Sequence, residues 1–250
     1  MNAITIDATT VAAFALALVR ASAWVMISPP FNTRMIPMVV KAGFAASLAL
    51  AAVPILQDQP IPLETGPFIA ALVVQALVGF ALGFFTLVLV NALQAAGSLV
   101  DLFAGFSIAS LLDPTNGNEA AVFGRFYQLV AITLLFSTNA YLVIINGWFL
   151  SFQVVPASGL RVEMVAEVLT TNIGHFFLAA IEIAAPVLAC LFLAEIMMGV
   201  LSRAAPQLNV FSLAFPLRVI VSLIVVALAI PLLGPALGNL VQDAMAPLGG

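Results

Sequence analysis

The stretch PVLACLFLAEIMMGVLSRAAPQLNVFSLAFPLR, Pro186–Arg218, decides how this chain folds. Two strongly apolar runs flank a short polar corner, SRAAPQLN, in which Pro206 and Asn209 are typical turn residues. Each run is long enough to form most of a membrane span. The stretch therefore predicts a helical hairpin in a membrane.

Two charges, Glu195 and Arg218, lie within the apolar runs of this hairpin. They are equally far from the midpoint of the corner, between Pro206 and Gln207, so antiparallel helices would bring them to the same depth. Charges in hydrocarbon need a neutralising partner. We therefore predict an ion pair between the Glu195 carboxylate and the Arg218 guanidinium.

The composition places the whole chain in or beside a bilayer. Of its 250 residues 64% are hydrophobic and 7% are charged, and so little polar surface could not cover a water-soluble core. The net charge is −4 and the seven basic residues form no patch, which argues against a nucleic-acid partner. The single cysteine, Cys190, lies in an apolar run and is interpreted as a small buried hydrophobic residue.

The sequence offers no pattern typical of an enzyme. His175 is the one histidine, and no His, Cys or carboxylate cluster has the spacing of a metal site. There is no glycine-rich phosphate loop and no nucleophile elbow. We expect no catalytic residue, cofactor or metal. The segment MNAITIDATT has no basic residue, so the first apolar run is expected to remain as a membrane helix.

Six apolar runs reach the length of about 20 residues that a helix needs to cross hydrocarbon. Because backbone groups in lipid must bond internally, each is expected to be helical, which predicts an all-α, multi-pass membrane protein without a soluble domain. The runs are Thr9–Ile27, Met38–Leu56, Phe68–Asn91, Arg125–Ile145, Phe176–Leu201 and Val210–Leu233. The connection before the fifth run contains RVEMVAEVL, whose apolar spacing predicts an amphipathic helix.

Basic residues predict the orientation. With the N-terminus outside the cytoplasm, five of them lie at or near the cytoplasmic connections, whereas Arg161 alone lies on the other side. The five are Arg34, Lys41, Arg125, Arg203 and Arg218. The hairpin corner, with Arg203, Pro206, Gln207 and Asn209, would then be cytoplasmic.

Several residues inside the apolar runs need a structural explanation. Gly79 and Gly83, in GFALG, let another helix approach closely, either from the same chain or from another subunit. Arg20 is expected to snorkel or to pair with a carboxylate. Glu182 and Glu195 are 13 positions apart in one run, on different helix faces, and cannot act together as a carboxylate pair.

The segment between the third and fourth runs, at about 94–124, is unusual for a membrane protein. Small residues, glycine and aromatic residues end in an Asp-Pro turn, which predicts non-helical backbone that lines or blocks a cavity. A plain interfacial loop is the alternative. The candidate residues for lining or blocking this cavity are Phe103, Gly105, Phe106, Ser107, Asp113 and Pro114.

Five separated motifs carry a resemblance to a known family. In order they are Arg20 with PPFNTRMIP, then GFALGF, LQAAGSLVDLFAGFSIASLLDP, SFQVVPASG, and AAPVLACLFLAEIMMGVLSRAAPQLNVFSLAFPLR. Together they cover nearly the whole chain, and GVLSRAAPQLNVF is the most specific. The chain resembles the FliR family of bacterial flagellar type III secretion, and more distantly its counterpart in virulence injectisomes.

The resemblance implies a non-enzymatic export-gate subunit in the inner membrane, within the flagellar basal body. Its implied partners are FliP, FliQ and FlhB, and its substrates are unfolded flagellar proteins. Residues 1–155 would be FliP-like and include the plug-like loop at about 94–124. Residues 156–175 would form the amphipathic connection, and 176–250 the FliQ-like hairpin and a short tail. Gly105–Glu119 would help to close the pore.

Three other functions remain as alternatives. An injectisome export-gate subunit would share most of the motifs. A small secondary transporter would need an inverted repeat and ionisable residues near the midplane, and an intramembrane enzyme would need a nucleophile–base pair or metal ligands. The sequence contains neither pattern.

Overall fold

The computed structural model describes residues 7–106, 122–156, 162–204 and 210–245, with side chains at all of these positions except 162–176, 210–212 and 243–245. These residues form helices, turns and short connections, with no strand among them, so the all-α prediction is confirmed for this part of the chain. The helices are α1 (Ala8–Ile27), α2 (Met38–Gln57), α3 (Thr65–Ala104), α4 (Val122–Ser137), α5 (Ala140–Val154), α6 (Val162–Ala204) and α7 (Val210–Met245).

Within the described residues, five helices are long and apolar enough to cross a membrane, and α4 with α5 makes a sixth candidate if the broken pair is one span. We predicted one continuous helix there, over Arg125–Ile145, and that detail is wrong. The break follows Ser137, where Asn139 adopts a positive φ of 58°. Asparagine tolerates this conformation better than most residues, and the Thr138 hydroxyl bonds back to Leu134 O at 2.8 Å.

Three helices are much longer than the predicted spans. α3 has 40 residues, α6 has 43 and α7 has 36. At a rise of about 1.5 Å per residue they measure roughly 55–65 Å, against about 30 Å of hydrocarbon. α6 includes the predicted amphipathic connection from Val162 onward, and α7 continues beyond Leu233 to Met245.

The expectation of non-helical backbone from about residue 94 is also wrong for its first part. α3 continues through the small residues Ala95–Ser98 to Ala104, because such residues are compatible with a helix and let neighbours approach. Of the predicted 94–124 loop, only Gly105 and Phe106 are described as leaving the helix. Residues 107–121 lie outside the described residues.

The chain divides into two compact units. One consists of Met1–Val88, Tyr141–Ile173 and Gln242–Gly250, and the other of Leu89–Ala140 and Gly174–Val241. Each of α3, α6 and α7 contributes residues to both. These units do not follow the predicted division into 1–155, 156–175 and 176–250, which remains a prediction about likeness to other subunits.

The first unit is built on close packing between α1 and α2. Alanine residues such as Ala17 and Ala49 are fully buried, so the two backbones approach closely. At one end the rings of Trp24, Phe31 and Phe44 pack together, with Phe31 and Phe44 stacked at 4.7 Å between centroids.

The second unit has its own apolar core. Its buried members come from α3, α4, α6 and α7 and are Ala96, Val100, Ala104, Phe123, Tyr127, Ala184, Val187, Leu191, Val226, Ala229 and Leu233. Outside this core, α6 and α7 expose many large apolar side chains, including Phe192, Met197 and Leu228. Such faces need lipid or another protein to cover them.

Candidate functional site

The second unit holds the start of the predicted plug segment at a well-defined helix end. The N–H of Phe106 donates to Asp101 O at 3.0 Å and the N–H of Gly105 donates to Leu102 O at 3.3 Å. Gly105 has a φ of +90°. This is a Schellman motif, in which glycine supplies the left-handed residue just past the helix. Gly105 therefore fixes where the chain leaves α3.

The chain re-enters helical structure beside the same turn of α3. The buried Asp101 carboxylate accepts hydrogen bonds from the N–H groups of Phe123 at 3.0 Å and Gly124 at 2.8 Å. These are among the first amides of α4, which have no partner within their own helix. A Cβ at Gly97, one turn earlier on α3, would overlap the Phe123 carbonyl. Gly97 provides the space and Asp101 the acceptor that place the N-terminus of α4.

Phe106 packs between two other aromatic rings. Its centroid is 5.7 Å from that of Phe123, which follows the predicted plug segment, and 6.1 Å from that of Phe215 on α7. Both pairs have edge-to-face geometry, which adds to the burial of apolar area. Phe106 is therefore fixed against the hairpin. Phe103, by contrast, lies on α3 with 52% of its surface exposed.

The predicted hairpin charges lie within direct contact. Arg218 Nε donates to Glu195 Oε2 at 2.8 Å and Nη2 donates to Oε1 at 2.6 Å. This is a bidentate arrangement, the strongest geometry for a guanidinium and a carboxylate. A Cβ built at Gly105 would lie 3.9 Å from Arg218 Nη1, so the pair adjoins the end of α3.

Arg20 has a different environment from the one we predicted. It neither snorkels nor pairs with a carboxylate in the described structure, because its side chain is fully buried and its three acceptors are neutral. Nε donates to Gln75 Oε1 at 2.6 Å, Nη1 to Ser151 Oγ at 2.8 Å and Nη2 to Val155 O at 2.8 Å. The guanidinium also lies 3.9 Å from the centre of the Phe152 ring. Arg20 therefore joins α1, α3 and the end of α5.

Gly79 and Gly83 contact α1 of the same chain. A Cβ at Gly79 would overlap Arg20 O, and a Cβ at Gly83 would lie 2.9 Å from Trp24 O. At both positions the added Cβ would be closer to the α1 backbone than side-chain atoms normally come. The two glycines thus allow α3 to approach the backbone of α1 over the turn that carries Arg20.

Several predicted site residues lie outside the described residues. In the plug segment these are Ser107, Asp113 and Pro114, and at the hairpin corner they are Pro206, Gln207 and Asn209. Arg203, at the last turn of α6, is described and exposed.

Sequence reasoning missed Gln75, Ser151 and Gly97 as parts of these arrangements. Gln75 and Ser151 are polar residues within apolar runs, which is where a buried arginine can find acceptors. Gly97 lies one helical turn before Asp101, and that spacing could have indicated close contact with a helix terminus. Among the described residues, no group of three or more His, Cys, Asp or Glu side chains could hold a metal ion.

Comparison with known proteins identifies the family. The model of the family described as bacterial export proteins, family 1, matches residues 11–244. The flagellar biosynthetic protein FliR of Bacillus subtilis (strain 168) is 35% identical over 217 residues, which are 85% of this chain and 83% of the relative. FliR of Escherichia coli (strain K12) is 29% identical over 227 residues, 90% and 87% of the two chains.

A relative that is not named as a flagellar protein is also similar. The Yop proteins translocation protein T of Yersinia pestis is 30% identical over 211 residues, which are 82% of this chain and 80% of the relative. The family model and the FliR relatives agree with the resemblance drawn from the sequence motifs. The chain therefore belongs to the FliR family of bacterial export proteins.

Proposed function

We propose that this protein is a structural and gating subunit of the flagellar type III export channel, through which unfolded flagellar proteins cross the bacterial inner membrane. The observation that carries the proposal is the 35% identity to a flagellar biosynthetic protein, FliR, over 83% of that protein. The proposed role is non-enzymatic. It consists of building a conduit and closing it between substrates.

We propose FliP, FliQ and FlhB as the partners. The family resemblance supplies these three names. The large apolar surface of α6 and α7, where Phe192, Met197 and Leu228 are all more than 60% exposed, supports contact with other subunits in general. The Glu195–Arg218 pair, which joins the same two helices, is itself partly exposed, with 55% of the Glu195 side chain and 28% of the Arg218 side chain accessible. Charged groups facing lipid are costly, whereas a subunit interface can cover both the pair and the apolar residues around it.

Co-expression tests the partnership. We expect the chain expressed alone to aggregate, because its apolar faces are uncovered, and co-expression with FliP to restore a soluble particle in detergent. Size-exclusion chromatography with light scattering measures the result. A monodisperse lone chain would contradict the proposed dependence on other subunits.

The segment Gly105–Glu119 is proposed to act as a plug in the closed pore. Residues 107–119 lie outside the described residues, so the support comes from the family resemblance and from the described base of the segment. At that base Phe106 and Phe123 are in ring contact, so the chain leaves α3 and enters α4 at neighbouring points. Bulky apolar groups on a segment anchored at both ends can close a narrow pore by excluding water.

Ion leakage tests the plug. Deleting Gly105–Glu119 should raise the ion conductance of cells that assemble the gate, because the constriction is removed while the surrounding subunits remain. Replacing the same residues with a Gly/Ser linker of equal length is the matched control for loss of side chains without loss of length. Gate assembly is checked by co-purification of FliP, and unchanged conductance in both variants would reject the plug.

The proposed orientation places the N-terminus in the periplasm and the hairpin corner in the cytoplasm. Its support is the distribution of basic residues, with Arg203 at the exposed end of α6. Single cysteines at Asp7 and Arg203, introduced after Cys190→Ala, would test it. A membrane-impermeant thiol reagent should label the first in intact spheroplasts and the second only after lysis. The reverse pattern would overturn the orientation.

A further inference from the structure

Arg218 has one nitrogen that is directed away from its ion pair. Nε and Nη2 both donate to Glu195, at 2.8 and 2.6 Å. A Cβ built at Gly105 would lie 3.9 Å from the third nitrogen, Nη1. The guanidinium thus faces the Glu195 carboxylate on one side and the last turn of α3 on the other.

The end of α3 is a favourable place for a cation. The last four carbonyl groups of a helix lack partners within it, and together they carry about half a negative elementary charge. The Schellman bonds from Gly105 and Phe106 use two carbonyl oxygens, those of Leu102 and Asp101. A positive charge beside Gly105 therefore interacts favourably with the rest of that helix end.

The same face of α7 supplies an apolar contact to the same residues. Phe215 precedes Arg218 by three positions and therefore lies on the same side of the helix. Its ring atoms Cδ2 and Cε2 would lie 3.7 and 3.8 Å from a Cβ at Gly105, and its centroid is 6.1 Å from that of Phe106. The turn of α7 from Phe215 to Arg218 thus lies against Gly105 and Phe106, the two residues that follow α3.

We propose that Arg218 is a positioning residue for the C-terminal end of α3, acting through its charge. The contact fixes the direction in which the chain leaves α3 at Gly105. The inference rests on the proposed function only where it concerns the plug, since Gly105 begins that segment. The role of Arg218 at the helix end stands on the described contacts alone.

The alternative is that the ion pair merely joins α6 to α7. A charge exchange, Glu195→Arg with Arg218→Glu, separates the two roles. The exchanged pair can still form, so the hairpin should be retained. A carboxylate at position 218 would, however, face the negative end of α3. A negative charge at the C-terminal end of a helix is destabilising, because it has the same sign as the helix dipole there.

Amide hydrogen exchange of the assembled gate reads out this helix end directly. The Gly105 and Phe106 amides form the Schellman bonds and exchange only when that end opens. We expect the exchanged pair to accelerate their exchange about tenfold, the effect of reversing a charge beside a helix terminus. The Ser28 amide, bonded to Trp24 O at the end of α1, serves as the internal reference. Exchange equal to that of the wild type would overturn the proposal.

Single substitutions keep the proposal testable if the charge exchange prevents assembly. Arg218→Gln should accelerate exchange at Gly105 and Phe106, whereas Glu195→Gln, which keeps the cation, should have a much smaller effect. Equal effects of the two would show a pair that only ties the hairpin, and would overturn the proposal.

Conductance is measured on the same variants to keep the two proposals distinct. Faster exchange in the Arg218 variants, with no ion leakage on deletion of Gly105–Glu119, would reject the plug and retain the positioning role of Arg218. Leakage on deletion of Gly105–Glu119, with unchanged exchange in the Arg218 variants, would retain the plug and reject the positioning role of Arg218.

Discussion

Arg20 Nη2 donates a 2.8 Å hydrogen bond to the carbonyl oxygen of Val155, the residue that follows α5. The N–H of Val155 in turn donates to Ser151 O at 2.9 Å, so this carbonyl belongs to the C-terminal end of that helix. A helix end of this kind carries partial negative charge. The buried guanidinium is thus stabilised by a helix terminus and neutral acceptors, without a carboxylate among its hydrogen-bond partners.

Two other charges in the described residues also lie at helix ends. Asp101 accepts from the first amides of α4, where the helix dipole favours an anion, and Arg218 lies beside the C-terminal end of α3. Partial charges at helix ends are fixed in direction and cost no side-chain entropy. They are well suited to an apolar chain with few ionised residues.

Replacing Arg20 should destabilise the first unit. Lysine keeps the charge but cannot reach Gln75 Oε1, Ser151 Oγ and Val155 O together, so buried acceptors lose their donors. We expect Arg20→Lys to cost about 3 kcal/mol in the free energy of unfolding, since each lost bond to a charged group is worth roughly 1.5–3 kcal/mol. Thermal melting of the purified gate measures the loss. The exposed Arg34→Lys is the control, and equal melting of the two variants would refute this explanation.

Replacing the Asp101 carboxylate should loosen the start of α4. In Asp101→Asn only one side-chain oxygen remains to accept from two amides, and the negative charge at the helix N-terminus is lost. The expected cost is about 1–2 kcal/mol. Hydrogen exchange at Phe123 and Gly124 should accelerate accordingly. Ser98→Ala on the same helix is the control, because the Ser98 hydroxyl donates to Gln94 O within α3. Unchanged exchange at Phe123 and Gly124 in Asp101→Asn would contradict the capping role of Asp101.

Adding one methyl group at Gly97 should separate α3 from α4. The new Cβ would overlap the Phe123 carbonyl, and backbone atoms cannot move aside as a flexible side chain can. We expect Gly97→Ala to cost about 1–3 kcal/mol. Gly43→Ala, in α2, has no atom within 4 Å of the new Cβ and should be neutral or stabilising by up to about 1 kcal/mol. The melting temperatures of the Gly97→Ala and Gly43→Ala variants are compared. Similar values would exclude steric packing as the role of Gly97.

Adding a methyl group at Gly79 should disturb α1 as well as α3. The overlap falls on the backbone of Arg20, so the guanidinium should also move relative to its acceptors. We expect Gly79→Ala to lower the stability more than Gly83→Ala, since the closest contact of a Cβ at Gly83 is 2.9 Å. The stability losses of Gly79→Ala and Arg20→Lys should be non-additive when the two substitutions are combined. A double-mutant cycle in thermal stability measures the coupling. Additive losses would show that the glycine and the arginine act independently.

The sequence predicts features that depend on spacing along one or two helices. The distance of Glu195 and Arg218 from the hairpin corner predicts their contact because antiparallel helices have equal rise. The small residues Gly79 and Gly83 predict close helix packing for a similarly local reason. The number and type of long helices also follow from apolar runs, since lipid leaves the backbone few alternatives.

Features that depend on distant partners could not be read from the sequence. Arg20 finds acceptors 55 to 135 positions away, and Asp101 finds amides 22 and 23 positions away. The predicted start of non-helical backbone, at about residue 94, is too early for another reason. Small residues before Gly105 indicate a loop in isolation, yet in the structure they are helical and bring α4 close.

The uninterrupted length of α3 has a consequence for membrane insertion. No charged residue lies between Glu64 and Asp101, while the helix is about twice as long as the hydrocarbon layer is thick. Charged residues therefore do not fix which window of about 20 residues lies in the hydrocarbon, and they set no unique vertical register for α3 in the bilayer. Neighbouring polypeptides that cover the surplus turns must select the register, so the final depth is a property of the complete particle.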